Sequence, residues 1–171
     1  MDLNSFIRDV PDFPKPGIIF KDITPMLADP AALKDAVDQL AARFRDAGVE
    51  VVASVEARGF IFGPPVAVTL GAGFVPVRKP GKLPCETREV SYDLEYGSDT
   101  VQVHADAIRP GQKVLLVDDL IATGGTIEAT ARLIEEMGGE VVGMAFLMEL
   151  AFLKPRERLQ GRKIESLIVV D

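Results

Sequence analysis

Apolar and polar residues alternate along the chain in blocks that predict strands and helices in turn. Val114 to Val117 is an unbroken apolar run, as in a strand buried on both faces. Asp118 and Asp119 follow and read as its end. A Gly- and Thr-rich turn comes next, then Ile127, Ala131, Ile134 and Met137 at helical spacing, stopped by Gly138 and Gly139. Val49–Val55, Phe74–Val77, Val141–Leu147 and Ile164–Val170 predict further buried strands, and weaker strand patterns lie near Ser91–Tyr96 and Thr100–His104. Asp29 and Pro30 form an N-cap with proline at the first helical position, opening a helix striped by Leu33, Val37, Leu40 and Phe44 and stopped at Gly48. A second helix is predicted near Phe60–Leu70, its ends blurred by Pro64 and Pro65. Lys154–Leu159 is a short helical piece. The alternation gives an α/β fold with a mainly parallel, twisted sheet flanked by helices.

Two stretches break the rhythm. Up to about residue 27 the chain is punctuated by Pro11, Pro14, Pro16 and Pro25, yet carries Phe13, Ile18, Ile19, Phe20 and Ile23. It reads as irregular chain packed on the body. From Arg78 to about Val90 the composition turns to Lys, Pro, Gly and Glu with no apolar period, which fits either an exposed loop or a lid.

The central turn carries the chemistry. Gly124 and Gly125 let backbone N–H groups converge on an anion, and the helix behind them adds the positive end of its dipole. Thr123 and Thr126 add hydroxyl donors, and Ala122 leads into the turn. Together they predict a phosphate cradle. Asp118 and Asp119 cannot hold the same phosphate but suit ribose hydroxyls or a hydrated magnesium ion beside it. No G-x-x-x-x-G-K-[ST] occurs, so an NTPase would lack its phosphate loop, and no G-x-G-x-x-G follows a first strand. A plain tight turn with solvated carboxylates is the alternative for Gly-Gly by itself.

Composition narrows the class. At 171 residues and 47% hydrophobic content the chain fits a single domain, 1–171, with a full core. Without a twenty-residue apolar run or a signal-peptide pattern, a soluble, cytoplasmic protein is expected, with no membrane partner. A lone Cys85 rules out an intramolecular disulfide and a cysteine-based zinc site. His104 reads as a surface strand residue. A net charge of −7 disfavours nucleic acid, although Arg58, Arg78, Lys79, Lys82 and Arg88 could still gather around a small anion.

Val114-Leu-Leu-Val-Asp-Asp-Leu-Ile-Ala-Thr-Gly-Gly-Thr126 resembles the phosphoribosyl-diphosphate (PRPP) motif of the type I phosphoribosyltransferases. Phe13–Pro25, Glu56–Phe60, Arg78–Pro84 and Tyr92–Gly97 resemble, in order and spacing, the adenine-using branch of that family. The resemblance implies purine salvage: magnesium-dependent transfer of 5-phosphoribosyl from PRPP to adenine, giving AMP and pyrophosphate. A transferase for a 6-oxopurine, or a PRPP- or nucleotide-sensing regulator with this fold, are the alternatives. It further implies a homodimer and a hood, from residues 1–27 and about 145–155, that receives the base.

The resemblance also assigns residues. Ala122, Thr123, Gly124, Gly125 and Thr126 take the 5-phosphate. Asp118 and Asp119 hold the ribose, directly or through magnesium and water, with the magnesium carried mainly by PRPP. Glu56, Ala57, Arg58 and Gly59 face pyrophosphate across a strained Glu56–Ala57 peptide, cis or trans. Arg78, Lys79, Lys82 and Tyr96 belong to the lid, and Glu95 is the candidate acceptor of adenine's imidazole proton. Ile19, Phe20, Lys21 and Leu150 meet the base.

Overall fold

The buried apolar runs find one another in a computed structural model that describes residues 1–94 and 96–171. The N-terminal stretch is more regular than its prolines suggest. After a 3₁₀ turn at Leu3–Phe6, β1 (Arg8–Pro11) pairs antiparallel with β2 (Ile19–Asp22). Pro11 closes β1, and Pro14 and Pro16 fall in the connecting loop, so no ladder donor is lost from the strand interior. Helix α1 (Thr24–Ala28) follows, then α2 (Pro30–Ala42), whose first amides, Ala31 and Ala32, donate to the Asp29 carboxylate at 2.9 and 2.8 Å. The helix ends at Ala42. Phe44, the last residue of the expected stripe, is buried from the turns that follow.

β3 (Val51–Val55) is buried throughout and leads into α3 (Gly59–Leu70), with both internal prolines, and then β4 (Gly73–Val77). β5 (Thr87–Asp93) and β6 (Ser98–His104) form an antiparallel hairpin. The expected lid therefore shrinks: its last part, Thr87–Val90, is strand, and Val90 and Tyr92 pack against a hydrophobic cluster. Alternation of exposed and half-buried residues explains why no apolar run announces β5. Cys85 is exposed in the preceding loop, and His104 is half-buried at the end of β6.

β7 (Lys113–Ile121), α4 (Gly125–Glu136) and β8 (Glu140–Leu150) make the central unit, followed by a 3₁₀ turn at Ala151–Leu153, α5 (Pro155–Arg158) and β9 (Ile164–Val170). Two boundaries differ from expectation. Asp118 and Asp119 do not end β7, because its ladder with β8 runs on to Ile121 opposite Glu149. Residues 145–150, expected in the hood, lie in the central sheet, and only the part of that stretch from Ala151 lies outside it.

The five parallel strands lie in the order β4-β3-β7-β8-β9. Leu115 and Val117 join the cluster under α2 and α3, while Val114 and Leu116 join the one under α4 and the hairpin. Both faces are covered, which is why β7 reads as a continuous apolar run. The chain moves outward from β3 to β4, then returns to β7 and moves the other way. The carboxyl ends of β3 and β7 are therefore neighbours at a topological switch point, where such sheets bind ligands.

α3 reaches that point by close approach. A Cβ added to Gly63 would stand 2.1 Å from Ser54 Oγ and 2.7 Å from the Phe74 ring. Gly63→Ala should force α3 off β3 and destabilise the fold by about 1–3 kcal/mol, the usual cost of overpacking. Denaturant unfolding checks this, and an unchanged midpoint would contradict the close packing.

Candidate active site

Two turns converge at the switch point. The first is Ala122–Gly125 after β7. Gly124 has φ +84°, which a side chain would strain, and α4 begins at the next residue. The Glu128 amide makes the first bond back into the helix, to the Gly124 carbonyl at 2.9 Å. The amides of Gly125, Thr126 and Ile127 thus have no intrahelical acceptor and face the cleft with the dipole behind them. All of Ala122 to Ile127 line a cleft of about 420 Å³. The sequence expectation of a turn joining a buried strand to a helix here agrees with the structure.

The second turn follows β3. Glu56, Ala57 and Arg58 line the same cleft, and the Glu56–Ala57 peptide is cis. Gly59 starts α3 against the aspartates: a Cβ there would lie 3.0 Å from Asp118 Oδ1. Arg58 Nε pairs with Asp119 Oδ2 at 3.0 Å, and the Asp119 amide donates to Asp118 Oδ1 at 2.9 Å. The two turns are therefore wired together through the aspartate pair.

The Glu56 carboxylate points elsewhere. It accepts from the Lys79 amide at 2.6 Å and from Arg78 Nη2 at 3.2 Å. The Lys79 amide, above all, holds its carboxyl below the usual range, despite partial burial. Glu56 thus anchors the start of the Lys79–Glu86 loop, and Arg78 is turned toward it. Lys79 does line the cleft, and its ammonium pairs with Asp99. Lys82 is exposed and outside the cleft lining, and Tyr96, 88% exposed, is far from any enclosure. Glu95 lies outside the described residues.

Tyr92 is the residue the sequence did not flag. Its hydroxyl is 3.1 Å from Thr126 Oγ1 and 3.3 Å from Asp99 Oδ2, joining the hairpin to the phosphate turn. Its spacing of two from Val90 is the available signal, since alternate strand residues share a face.

A second cavity of about 630 Å³, mostly apolar, adjoins the first. Ile19, Phe20, Lys21 and Leu150, expected to meet the base, line this one cavity together with Leu120, Met148, Phe152 and Leu153, which the sequence did not flag. The Lys21 ammonium pairs with Asp9 at 2.7 Å. Arg58, Asp119 and Leu120 line both cavities and form the wall between them.

A magnesium ion fits here only with help. Among the described residues no group of three or more His, Cys, Asp and Glu side chains could hold a metal. Asp118 and Asp119 offer two carboxylates, one already paired with Arg58, so substrate oxygens and water must complete a six-oxygen shell.

Burial, and then the charge of Asp119, push Asp118 up to about 8. An ordinary carboxyl titrates near 3.9 in an unfolded chain. Between those values the folded protein holds a proton that the unfolded chain has released, so stability falls as pH rises. Without added substrate, Tm should decline from about pH 4 to pH 8, and Asp118→Asn should flatten that decline. Parallel Tm–pH curves for the two proteins would show that Asp118 carries no such proton.

Known proteins share this arrangement. The phosphoribosyl transferase domain family matches residues 25–167. Adenine phosphoribosyltransferase of Clostridium perfringens is 57% identical over 171 residues, spanning 100% of this chain and 99% of the relative. That of a Thermotoga species is 55% identical over 169 residues, spanning 99% of each. The crystal structure of adenine phosphoribosyltransferase from Thermoanaerobacter pseudethanolicus superimposes with a TM-score of 0.95 at 52% identity, covering 99% of this chain and 98% of the other. The Giardia lamblia APRTase complexed with 9-deazaadenine gives 0.92 at 38% identity, covering 99% and 97%.

Proposed function

The chain belongs to the phosphoribosyltransferase family, among its adenine phosphoribosyltransferases, and from that membership we propose how its two joined cavities divide the substrates. The reaction is transfer of 5-phosphoribosyl from PRPP to adenine, giving AMP and pyrophosphate in purine salvage. The observation that carries the division of labour is the shared Arg58–Asp119 wall between a polar, amide-lined cleft and an apolar cavity.

In this reading the 5-phosphate sits on the Gly125–Ile127 amides and the Thr123 and Thr126 hydroxyls. Asp118 and Asp119 take the ribose hydroxyls, directly or across water. The C1–O bond to pyrophosphate breaks as the bond from adenine N9 to C1 forms, with positive charge developing on the ribose. Positioning and charge complementarity supply most of the rate. Arg58 and Lys79 face the departing pyrophosphate, and Lys82 joins them when the Lys79–Glu86 loop lies over the cleft. Magnesium, brought on PRPP, supplies further neutralisation of the leaving group. The N9 proton goes to the Glu95 carboxylate, a role resting on the Tyr92–Gly97 motif alone, and Tyr96 orients that turn.

The base is read by main chain. β2 pairs with β1 along one edge only, which leaves backbone groups near Ile19–Lys21 free toward the apolar cavity. Adenine offers an amino donor beside an unprotonated ring nitrogen, and a backbone C=O and N–H complement that edge. A homodimer accords with the exposed apolar Val68 on α3 and with the uncovered edge of the lid loop. The lone free Cys85 suits a reducing cytoplasm. No helix among the described residues is long and apolar enough to cross a membrane.

A PRPP-dependent assay over a panel of bases tests the reading. Hypoxanthine would set carbonyl against carbonyl and N–H against N–H, each mismatch costing about 1–3 kcal/mol. Adenine should therefore be favoured in kcat/KM by roughly thirty-fold to ten-thousand-fold. Ile19→Val should keep that ratio, because it leaves the backbone untouched. Comparable kcat/KM for both bases would overturn main-chain readout.

A further inference from the structure

Glu149 is a carboxylate at 2% exposure near the end of β8, and the chemistry above does not use it. Three donors converge on it. Arg156 gives Nε to Oε1 and Nη2 to Oε2, both at 2.8 Å, and Ser166 Oγ gives a third bond to Oε2 at 2.8 Å. A buried carboxylate bound this completely fixes whatever carries its partners. One partner sits on β9, already in the sheet. The other sits on α5, which has four residues and is too short to hold itself as a helix.

α5 matters because of what it touches. A Cβ on Gly124 would meet Leu159 Cδ1 at 3.4 Å and the Pro155 carbonyl at 3.6 Å, and one on Gly125 would meet Arg158 Nη1 at 2.9 Å. Pro155 and Leu159 are buried. The phosphate turn therefore rests on α5 from behind. Lys154, at φ +54°, bends the chain between α5 and the Ala151–Leu153 turn that faces the base cavity. The base-facing segment has its own anchor, the Leu150–Val170 pairing of β8 with β9.

We infer that the Glu149–Arg156 pair is a positioning device for the 5-phosphate cradle: it clamps α5 to the sheet so that α5 holds the Gly124–Gly125 turn in its anion-binding shape. The inference rests on the assignment of that turn to the 5-phosphate. It separates three ligand parts that a general loss of structure would not. Ribose 5-phosphate should depend on the clamp, whereas adenine and pyrophosphate, held by other segments, should not.

Glu149→Gln is the test. Glutamine keeps the shape but has a single acceptor and puts a donor where the second stood, facing Arg156 or Ser166. KM for PRPP should rise about tenfold, the effect of losing one charge-assisted bond. KM for adenine should stay within about twofold and kcat at saturating PRPP within about threefold. Calorimetric affinity for ribose 5-phosphate should fall by the same factor as KM rises, with pyrophosphate affinity unchanged. Arg156→Lys, which keeps the charge but not the forked pair, should raise KM for PRPP about threefold. It carries the test alone if Glu149→Gln does not fold. Unchanged KM for PRPP in a folded variant, or equal rises for PRPP and adenine, would overturn the clamp while leaving the cradle standing. Failure of the parent protein to bind ribose 5-phosphate would overturn the cradle and the clamp with it.

Discussion

Asp119 lies at 5% exposure at the carboxyl end of the central strand, and Arg58 Nε answers it from 3.0 Å. A carboxylate taken so far out of water requires a counter-charge, and a single cation at the start of α3 supplies it. That pair ties the turn after β3 to the strand β7, lies between the two cavities and directs a guanidinium toward the polar one. Gly59 and Gly63 let α3 come close enough for the contact. Neighbouring Asp118 is then pushed up by burial and by the charge beside it. The switch point fixes where a ligand binds, and this pair fixes how the space there is partitioned.

The parts of the fold visible in the sequence are those in which one interaction dominates. β3 and the interiors of β7 and β8 are buried on both faces, so their apolar runs had no other use. The phosphate turn was legible because Gly124, Gly125 and the helix behind them serve one geometry. What stayed hidden involved competing signals. Asp118 and Asp119 look like the end of a strand because carboxylates usually mark one, yet the ladder with β8 carries β7 two residues further. Prolines masked the β1–β2 hairpin although they fall at its end and in its loop. Thr87, Arg88 and Glu89 conceal the first half of β5, since a hairpin over a cleft exposes most of one face.

The site residues divide in the same way. Those that line the cleft through backbone or by fixed charge, such as Thr123–Thr126 and Arg58, could be read from motifs. Those that act through a partner could not. Tyr92 reaches Thr126 across 34 positions, and Glu149 meets Arg156 and Ser166 from three separate elements. Glu56 shows the converse: its motif pointed to pyrophosphate, but its carboxylate is spent on Lys79 and Arg78. A loop rich in lysine and proline has few apolar contacts of its own, and that anchor sets where it begins.

The account stands or falls on the aspartate pair acting through ribose rather than through folding. Steady-state turnover of Asp119→Asn, with Tm measured beside it, addresses this most directly. The expected result is a fall in turnover of at least about tenfold, equivalent to about 1.4 kcal/mol of lost transition-state stabilisation, with Tm little changed because Arg58 is half-exposed and its charge stays in water when the pair is lost. Full turnover in this variant would contradict the account.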